Sequence, residues 1–469
     1  MVVAKLSEKR RDESFSKKIT QYWANARKFS KQVIKKSTAI HSKLVFGVEV
    51  RLAGERSAMR FVYLLVLCLP LIRCEHDEIS ANCIPQPGVS CPSGNPDVDL
   101  DTVQIARRHG YPAESHLIAT EDGYILTLNR IPGPKSGERG GQPVFLQHGL
   151  LSSSTDWVVA GNASLAFMLA DAGYDVWMGN ARGNTYSKAH MNLSISSAQY
   201  WNFTWHEMGV YDLPAALYFV SNTTNKPGEI IYVGHSMGTT MFFVFATLNR
   251  QAAKNVKLMA ALAPVVYMTH VKSPIRYLSP FTTDFEWLAK YLGVNQFLPN
   301  NKILKFLSYD CELLNIDKTI CEDIIFAFCG FDKTEFNEDL LPVVLSHDPA
   351  GSSTKTVLHY AQEIKYDGKF QQYDYGPAGN KIKYGTLTPP QYKLLNIKVP
   401  TYLMYAVNDW LSSYIDVIRL SQNLTNNVGL YRVPLEAFNH VDYLFGKHAA
   451  TLVYKPLMKV MMNYTEDMY

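Results

Sequence analysis

Four short apolar runs set the strongest constraint on how this chain folds. Val144-Phe145-Leu146-Gln147, Tyr174-Asp175-Val176-Trp177, Glu229-Ile230-Ile231-Tyr232-Val233 and Tyr402-Leu403-Met404-Tyr405-Ala406 each read as a buried strand. Each ends near Gly, Asn, Asp or His: His148-Gly149, Gly179-Asn180, Gly234 and Asn408-Asp409. Helical patterns lie between the first three, around Ala163–Ala172 and Asp212–Val220, and another runs from Thr239 to Ala252. Strands alternating with helices predict an α/β fold with a mostly parallel sheet covered on both faces. In such sheets functional residues gather at the carboxyl ends of the strands. From about Val265 to Lys398 the rhythm stops, and turns rich in Pro, Asn and aromatic residues replace it. That segment reads as a mainly helical cap inserted between two strands, with an ordinary second domain as the alternative.

The strongest chemical signal is Gly234-His235-Ser236-Met237-Gly238, entered from the third strand and left through a helix. Strand, tight turn and helix in that order make a nucleophile elbow. Side chains at either glycine would collide with neighbouring backbone, and the turn pushes Ser236 Oγ into the open at a helix N-terminus. A serine hydroxyl needs a base, and the base needs an orienting carboxylate. In this fold they follow the nucleophile in the order acid, histidine. Asp409 stands just beyond the fourth strand, and His440 lies in Phe438-Asn439-His440-Val441-Asp442. Asp416 competes for the acid role but falls in a helical pattern. Asp442 also competes but is too near His440 in sequence to approach from another strand. His235 is expected only to pack. The expected oxyanion donors are the backbone N–H groups of Met237 and of Leu150, in the loop after the first strand.

The remaining features bear on compartment and partners. Residues 1–58 carry 14 of the 46 basic residues and 5 of the 42 acidic ones, leaving 32 basic against 37 acidic in the rest. A mildly acidic body does not suit a nucleic-acid partner. Phe61–Ile72 is apolar, too short for a membrane span, and follows Arg60, as in a secretory signal over 59–74. Synthesis from Met59 would leave 1–58 outside the mature protein. A signal-anchor with the body outside the cytosol is the alternative. Both readings put residues from about 75 onward in an oxidising compartment. Six sequons agree, at Asn162, Asn192, Asn202, Asn222, Asn423 and Asn463. So do the cysteines: Cys83 and Cys91 are close enough for one loop, and Cys311 and Cys321 for another, with one odd thiol. His206-Glu207 lacks the second His of a zinc-binding HExxH, and neither metal nor organic cofactor is expected.

Several longer stretches identify a resemblance. Thr120–Leu126, His148–Leu151, Asp175–Asn184, Tyr211–Ala215, the elbow, Asn408–Leu411 and Asn439–Asp442 resemble the acid lipase family of the α/β-hydrolases. That family contains gastric, lysosomal and many insect lipases, and the resemblance covers about residues 98–460. It implies the α/β-hydrolase fold, the triad Ser236, Asp409 and His440, oxyanion donors at Leu150 and Met237, and a lid within the cap. It also implies a Cys311–Cys321 disulfide with Cys329 free. Met237 departs from the Gln of gastric and lysosomal members, while the Cys83/Cys91 pair looks closer to insect ones.

The expected division is a core over 75–264 and 399–469 with a cap over 265–398. The expected function is a serine lipase, secreted or lysosomal, hydrolysing triacylglycerols and sterol esters at a lipid–water interface, with transient contact to a membrane or lipid droplet. In the cap, Ile303, Leu304, Phe306, Leu307 and Ile324-Ile325-Phe326 read either as faces opening onto lipid or as plain core helices. An esterase or acyltransferase on the same triad is one alternative. A non-catalytic lipid-binding protein is the other, and an intact Ser, Asp and His set argues against it.

Overall fold

A computed structural model describes residues 95–281, 295–298, 328–366 and 368–465. The signal segment, Cys83, Cys91, Cys311, Cys321 and the stretches 303–307 and 324–326 lie outside the described residues.

The strands are β1 (Glu114–Ala119), β2 (Tyr124–Ile131), β3 (Pro143–Gln147), β4 (Asp175–Gly179), β5 (Ala189–His190) and β6 (Ile230–His235). They continue with β7 (Val256–Leu262), β8 (Gln296–Phe297), β9 (Ser352–Ser353), β10 (Thr401–Tyr405) and β11 (Asn427–Arg432). The main sheet runs β1-β2-β4-β3-β6-β7-β10-β11, with short β5 pairing β2. β2 is antiparallel to both β1 and β4, and every pairing from β4 to β11 is parallel. The four expected strands are therefore β3, β4, β6 and β10.

Every residue of β3, β4 and β6 is buried, as a strand covered on both faces requires. Side chains alternate between two apolar layers. Phe145, Trp177 and Tyr232 enter one, with Leu217 and Val220 of α3 (Leu213–Thr224) and Met241 and Phe242 of α4 (Met237–Leu248). Val144, Leu146, Val176, Ile231 and Val233 enter the other, with Ile105 of α1 (Thr102–Arg108) and Phe167 of α2 (Leu165–Asp171). A box at the start of α1, in which Asp101 accepts from Gln104 N–H and Gln104 from Asp101 N–H, fixes where that helix begins.

β3 lies between β4 and β6, so the chain order reverses there. At such a switch point the loops beyond the strand ends part and leave a crevice. Residues 263–400 connect β7 to β10, which are parallel neighbours in register from Met259 against Thr401. The connection includes α5 (Leu341–His347), α6 (Thr354–Lys365), α7 (Gly376–Tyr384) and the small β8–β9 ladder. No described helix is long and apolar enough to cross a membrane.

Candidate active site

β6 ends at Ser236, whose backbone sits at φ +52°, ψ −117°. This sparsely populated region costs on the order of 1–3 kcal/mol and persists only where neighbours over-determine it. Bonds on both sides do so. Ser236 N–H donates to Leu262 O at 3.1 Å, and Ser236 O accepts from Thr239 N–H at 2.9 Å and Thr239 Oγ1 at 2.6 Å. Tyr232 Oη donates to Gly238 O at 2.7 Å. A Cβ at Gly234 would lie 2.9 Å from the Gly238 carbonyl carbon, and one at Gly238 would overlap the Gln147 carbonyl. Both glycines are thus required by close backbone approach.

Three distant side chains meet at this end of the sheet. His440 Nε2 lies 2.8 Å from Ser236 Oγ, and His440 Nδ1 lies 2.8 Å from Asp409 Oδ2. Asp409 follows β10, is 1% exposed, and accepts Leu411 N–H at 2.9 Å and Ser412 N–H at 2.7 Å on Oδ1. Its two oxygens are therefore held in fixed directions, one by backbone and one by imidazole. Both rival acids are occupied elsewhere. Asp416 accepts His270 N–H at 2.8 Å and contacts His270 Nδ1 at 2.8 Å. Asp442 accepts Asn439 N–H at 2.6 Å, and burial pushes its carboxyl up to about 8.

His235 does more than pack. Its Nε2 faces the His440 carbonyl oxygen at 3.0 Å, so Nε2–H donates to the main chain of the residue that bears the imidazole. Burial drives His235 far below the ordinary histidine range, keeping it neutral. The loops bearing His440 and Asp409 are also tied to the middle of the 263–400 connection. Asn439 Nδ2 donates to Gly330 O at 2.9 Å, and Cys329 O accepts Trp410 N–H at 3.2 Å. Among the described residues Cys329 is a free thiol.

The loop leaving β3 abuts the nucleophile: a Cβ at Gly149 would stand 3.1 Å from Ser236 Cβ and 3.6 Å from Oγ. Leu150 follows directly. Met237 is the first residue of α4, and the first N–H groups of a helix have no intrahelical partner. His148 pins this loop to the one after β4. Its Nε2 accepts Ala181 N–H at 3.0 Å, which puts the ring proton on Nδ1, donated to Gly149 O at 2.7 Å. Burial lowers His148 to about 4, so the neutral ring persists in acid.

An ion cluster centred on a buried arginine just beyond the carboxyl end of β4 has no signal in its individual residues. The Arg182 side chain is fully buried. Its Nη1 meets Asp122 Oδ2 at 2.6 Å, its Nη2 meets Asp212 Oδ1 at 2.6 Å, and its guanidinium stacks 3.9 Å from the Tyr124 ring. These residues belong to three of the stretches that carry the resemblance, so three separate motifs are one cluster in space. Arg182→Met is expected to destabilise the fold by about 3–5 kcal/mol, because two acids are stranded without their cation. Arg182→Lys is expected to recover only part, since an ammonium lacks the planar fork. Urea denaturation checks both, and a loss under about 1 kcal/mol for Arg182→Met would remove the cluster from the stability argument.

Of the sequons, Asn162, Asn192, Asn202, Asn222 and Asn463 are exposed. Asn423 is half-buried, and its Nδ2 donates to Arg419 O at 2.8 Å. Among the described residues no group of three His, Cys, Asp or Glu side chains is arranged to hold a metal.

Comparison with known proteins gives the family. A partial α/β-hydrolase lipase region matches residues 102–161, and the α/β-hydrolase fold matches 142–446. A lysosomal acid lipase/cholesteryl ester hydrolase of Macaca fascicularis is 39% identical over 87% of this chain and 99% of its own length. Lipase 3 of Drosophila melanogaster is 42% identical over 76% of this chain and 91% of its own. Human gastric triacylglycerol lipase is 40% identical over 78% of this chain and 92% of its own. At that identity over most of its length, the chain belongs to the acid lipase family of the α/β-hydrolases and is a carboxylic ester hydrolase of the lipase type.

Proposed function

We propose that this hydrolase is a serine lipase, secreted or held in the lysosomal lumen, that cleaves triacylglycerols and sterol esters through an acyl-enzyme. One observation carries the reading: an unbroken line of 2.8 Å contacts from the Asp409 carboxylate through the His440 imidazole to the Ser236 hydroxyl. Ser236 Oγ attacks the ester carbonyl while His440 Nε2 takes its proton. Asp409 keeps the other ring proton on Nδ1 and stabilises the imidazolium. The tetrahedral oxyanion is received by the N–H groups of Leu150 and Met237. The intermediate collapses, the alcohol leaves with the proton from His440, and water repeats the cycle to release the fatty acid.

The relatives include a cholesteryl ester hydrolase and a triacylglycerol lipase, which supports this substrate class. In this reading residues 75–264 and 399–469 form the catalytic core, and 265–398 cap it against the lipid–water interface. Cys311–Cys321 closes a loop in the cap, and the exposed sequons carry glycans.

The test uses the full chain with emulsified triacylglycerol and emulsified cholesteryl ester, followed by labelling with an alkyl phosphonate. Fatty acid release from both esters is expected, with one phosphonate adduct on the peptide that contains Ser236. No release from either ester, or an adduct confined to another residue, overturns the assignment.

A further inference from the structure

The three side chains of the triad stand on three loops, and the residue just before each of them reaches across to another loop. His235 Nε2–H donates to the His440 carbonyl, which fastens the histidine loop to the elbow. Asn408 precedes Asp409, and its Nδ2 donates to Ala437 O at 2.6 Å and to Phe331 O at 2.9 Å. Asn439 precedes His440, and its Nδ2 donates to Gly330 O at 2.9 Å. The acid loop is therefore bonded to the histidine loop, and both are bonded to residues 330–331 of the inserted segment.

The partners fix which way each amide points. Asn408 Oδ1 accepts from Trp410 Nε1 at 3.2 Å, a group that only donates, so its NH₂ is the end that faces the two carbonyls. Asn439 Oδ1 accepts Val441 N–H at 2.9 Å and Asp442 N–H at 3.3 Å, which leaves its NH₂ for Gly330. An aspartate at position 408 would lack both donors.

Backbone contact closes the same joint. Gly330 sits at φ +114°, and a Cβ there would overlap the Asn408 carbonyl oxygen and lie 3.2 Å from both Asn439 Cβ and Trp410 Cδ1. The inserted segment lies flush against both loops at a position that favours glycine on conformation and on space. One residue earlier, Cys329 O accepts Trp410 N–H at 3.2 Å and faces His440 N–H at 3.5 Å. Further anchors of the acid loop lead away from His440. Ser412 Oγ donates to Pro264 O at 2.7 Å, and the N–H groups of Lys272 and Ser273 both donate to Trp410 O at 3.0 Å.

We propose that residues 329–331 are a splint across the acid and histidine loops, and that Asn408 is the positioning residue through which the splint holds Asp409 against His440. The inference rests on the triad reading above. His235 holds the histidine loop to the elbow by a separate bond, so slackening the splint shifts the carboxylate relative to the ring and leaves Nε2 facing Ser236. A displacement of about 1 Å in such a contact can cost on the order of 10²-fold in rate. The carboxylate acts when the imidazolium forms, so the splint bears on kcat rather than on ester binding.

The test is steady-state kinetics of the full chain on a soluble short-chain nitrophenyl ester, with rates taken per phosphonate-titrated Ser236. Asn408→Leu keeps the side-chain volume and loses every hydrogen bond. It is expected to lower kcat on the order of tenfold, with KM changed less than about twofold. Gly330→Ala strains the same joint from the inserted segment and is expected to do likewise. Both losses are expected to shrink below about threefold in an Asp409→Asn background, where no carboxylate is left to place. A loss of stability alone would be felt equally in both backgrounds. A loss under about threefold in the parent for either variant, or above it in the Asp409→Asn background, overturns the proposal. If one variant does not fold the other decides, and if neither folds the joint is structural and the proposal falls. Labelling of the parent chain separates the two readings: an adduct on Ser236 with additive losses refutes only the splint, whereas no adduct refutes the hydrolytic assignment.

Discussion

Ser236→Ala is expected to lower kcat for ester hydrolysis by on the order of 10⁶-fold and to abolish phosphonate labelling. The size follows from what is lost. Without Oγ no acyl-enzyme forms, so the imidazole at 2.8 Å has no proton to receive and Asp409 has no imidazolium to stabilise. The three residues act as one unit, and removing one member forfeits most of what the three supply together. A residual rate about 10³–10⁴-fold above water is expected to survive from oxyanion donors and substrate binding. Folding is expected to be nearly untouched. The strained turn is held by the main chain of residue 236, through Leu262 and Thr239, and alanine keeps all of those bonds. The measurement is kcat on a soluble ester beside a thermal melt. A variant with the parent's melting temperature and more than about 1% of its rate would place the nucleophile elsewhere.

The sequence was most legible where physics leaves few options. β3, β4 and β6 are buried on both faces, so they appear as unbroken apolar runs, and their ends locate the site. The elbow was legible because close backbone contacts restrict residues 234 and 238 to glycine. Edge strands were not. β1 leaves Leu117 72% exposed, and β11 buries none of its residues fully, so neither shows an apolar run. β7 was hidden for another reason. Leu258-Met259-Ala260-Ala261-Leu262 is made of good helix formers, and only its position between β6 and β10 makes it a strand. Tertiary context overrode local preference there.

In the site, Asp409 and His440 were found from strand position and chain order. The supporting bonds were invisible, because hydrogen bonds between residues far apart leave no periodic trace. The His235 bond to the main chain of His440 spans 205 positions, and the Arg182 bonds to Asp122 span 60. The stretches that carry the family resemblance marked the residues of the Arg182 cluster without saying what they do.

Asp409→Asn is expected to cost about 10⁴-fold in kcat with little change in the fold. The bonds of Asp409 make the direction definite. Its Oδ1 accepts two backbone N–H groups, from Leu411 and Ser412, and only an oxygen fills that role. The amide of the variant must therefore turn its NH₂ toward His440 Nδ1, where Oδ2 now sits at 2.8 Å. A donor at that position forces the ring proton onto Nε2, so Nε2 presents N–H instead of a lone pair to Ser236. The base is then present in the wrong tautomer. Asp416→Asn serves as the control: that carboxylate is spent on His270, and its loss is expected to change kcat less than about twofold. The ring has a second restraint, because His235 fixes the carbonyl of residue 440. That bond sets where the imidazole stands but not which nitrogen carries its proton. A fall of under about tenfold in Asp409→Asn would mean that position alone suffices, and that the tautomer is set by something other than the carboxylate.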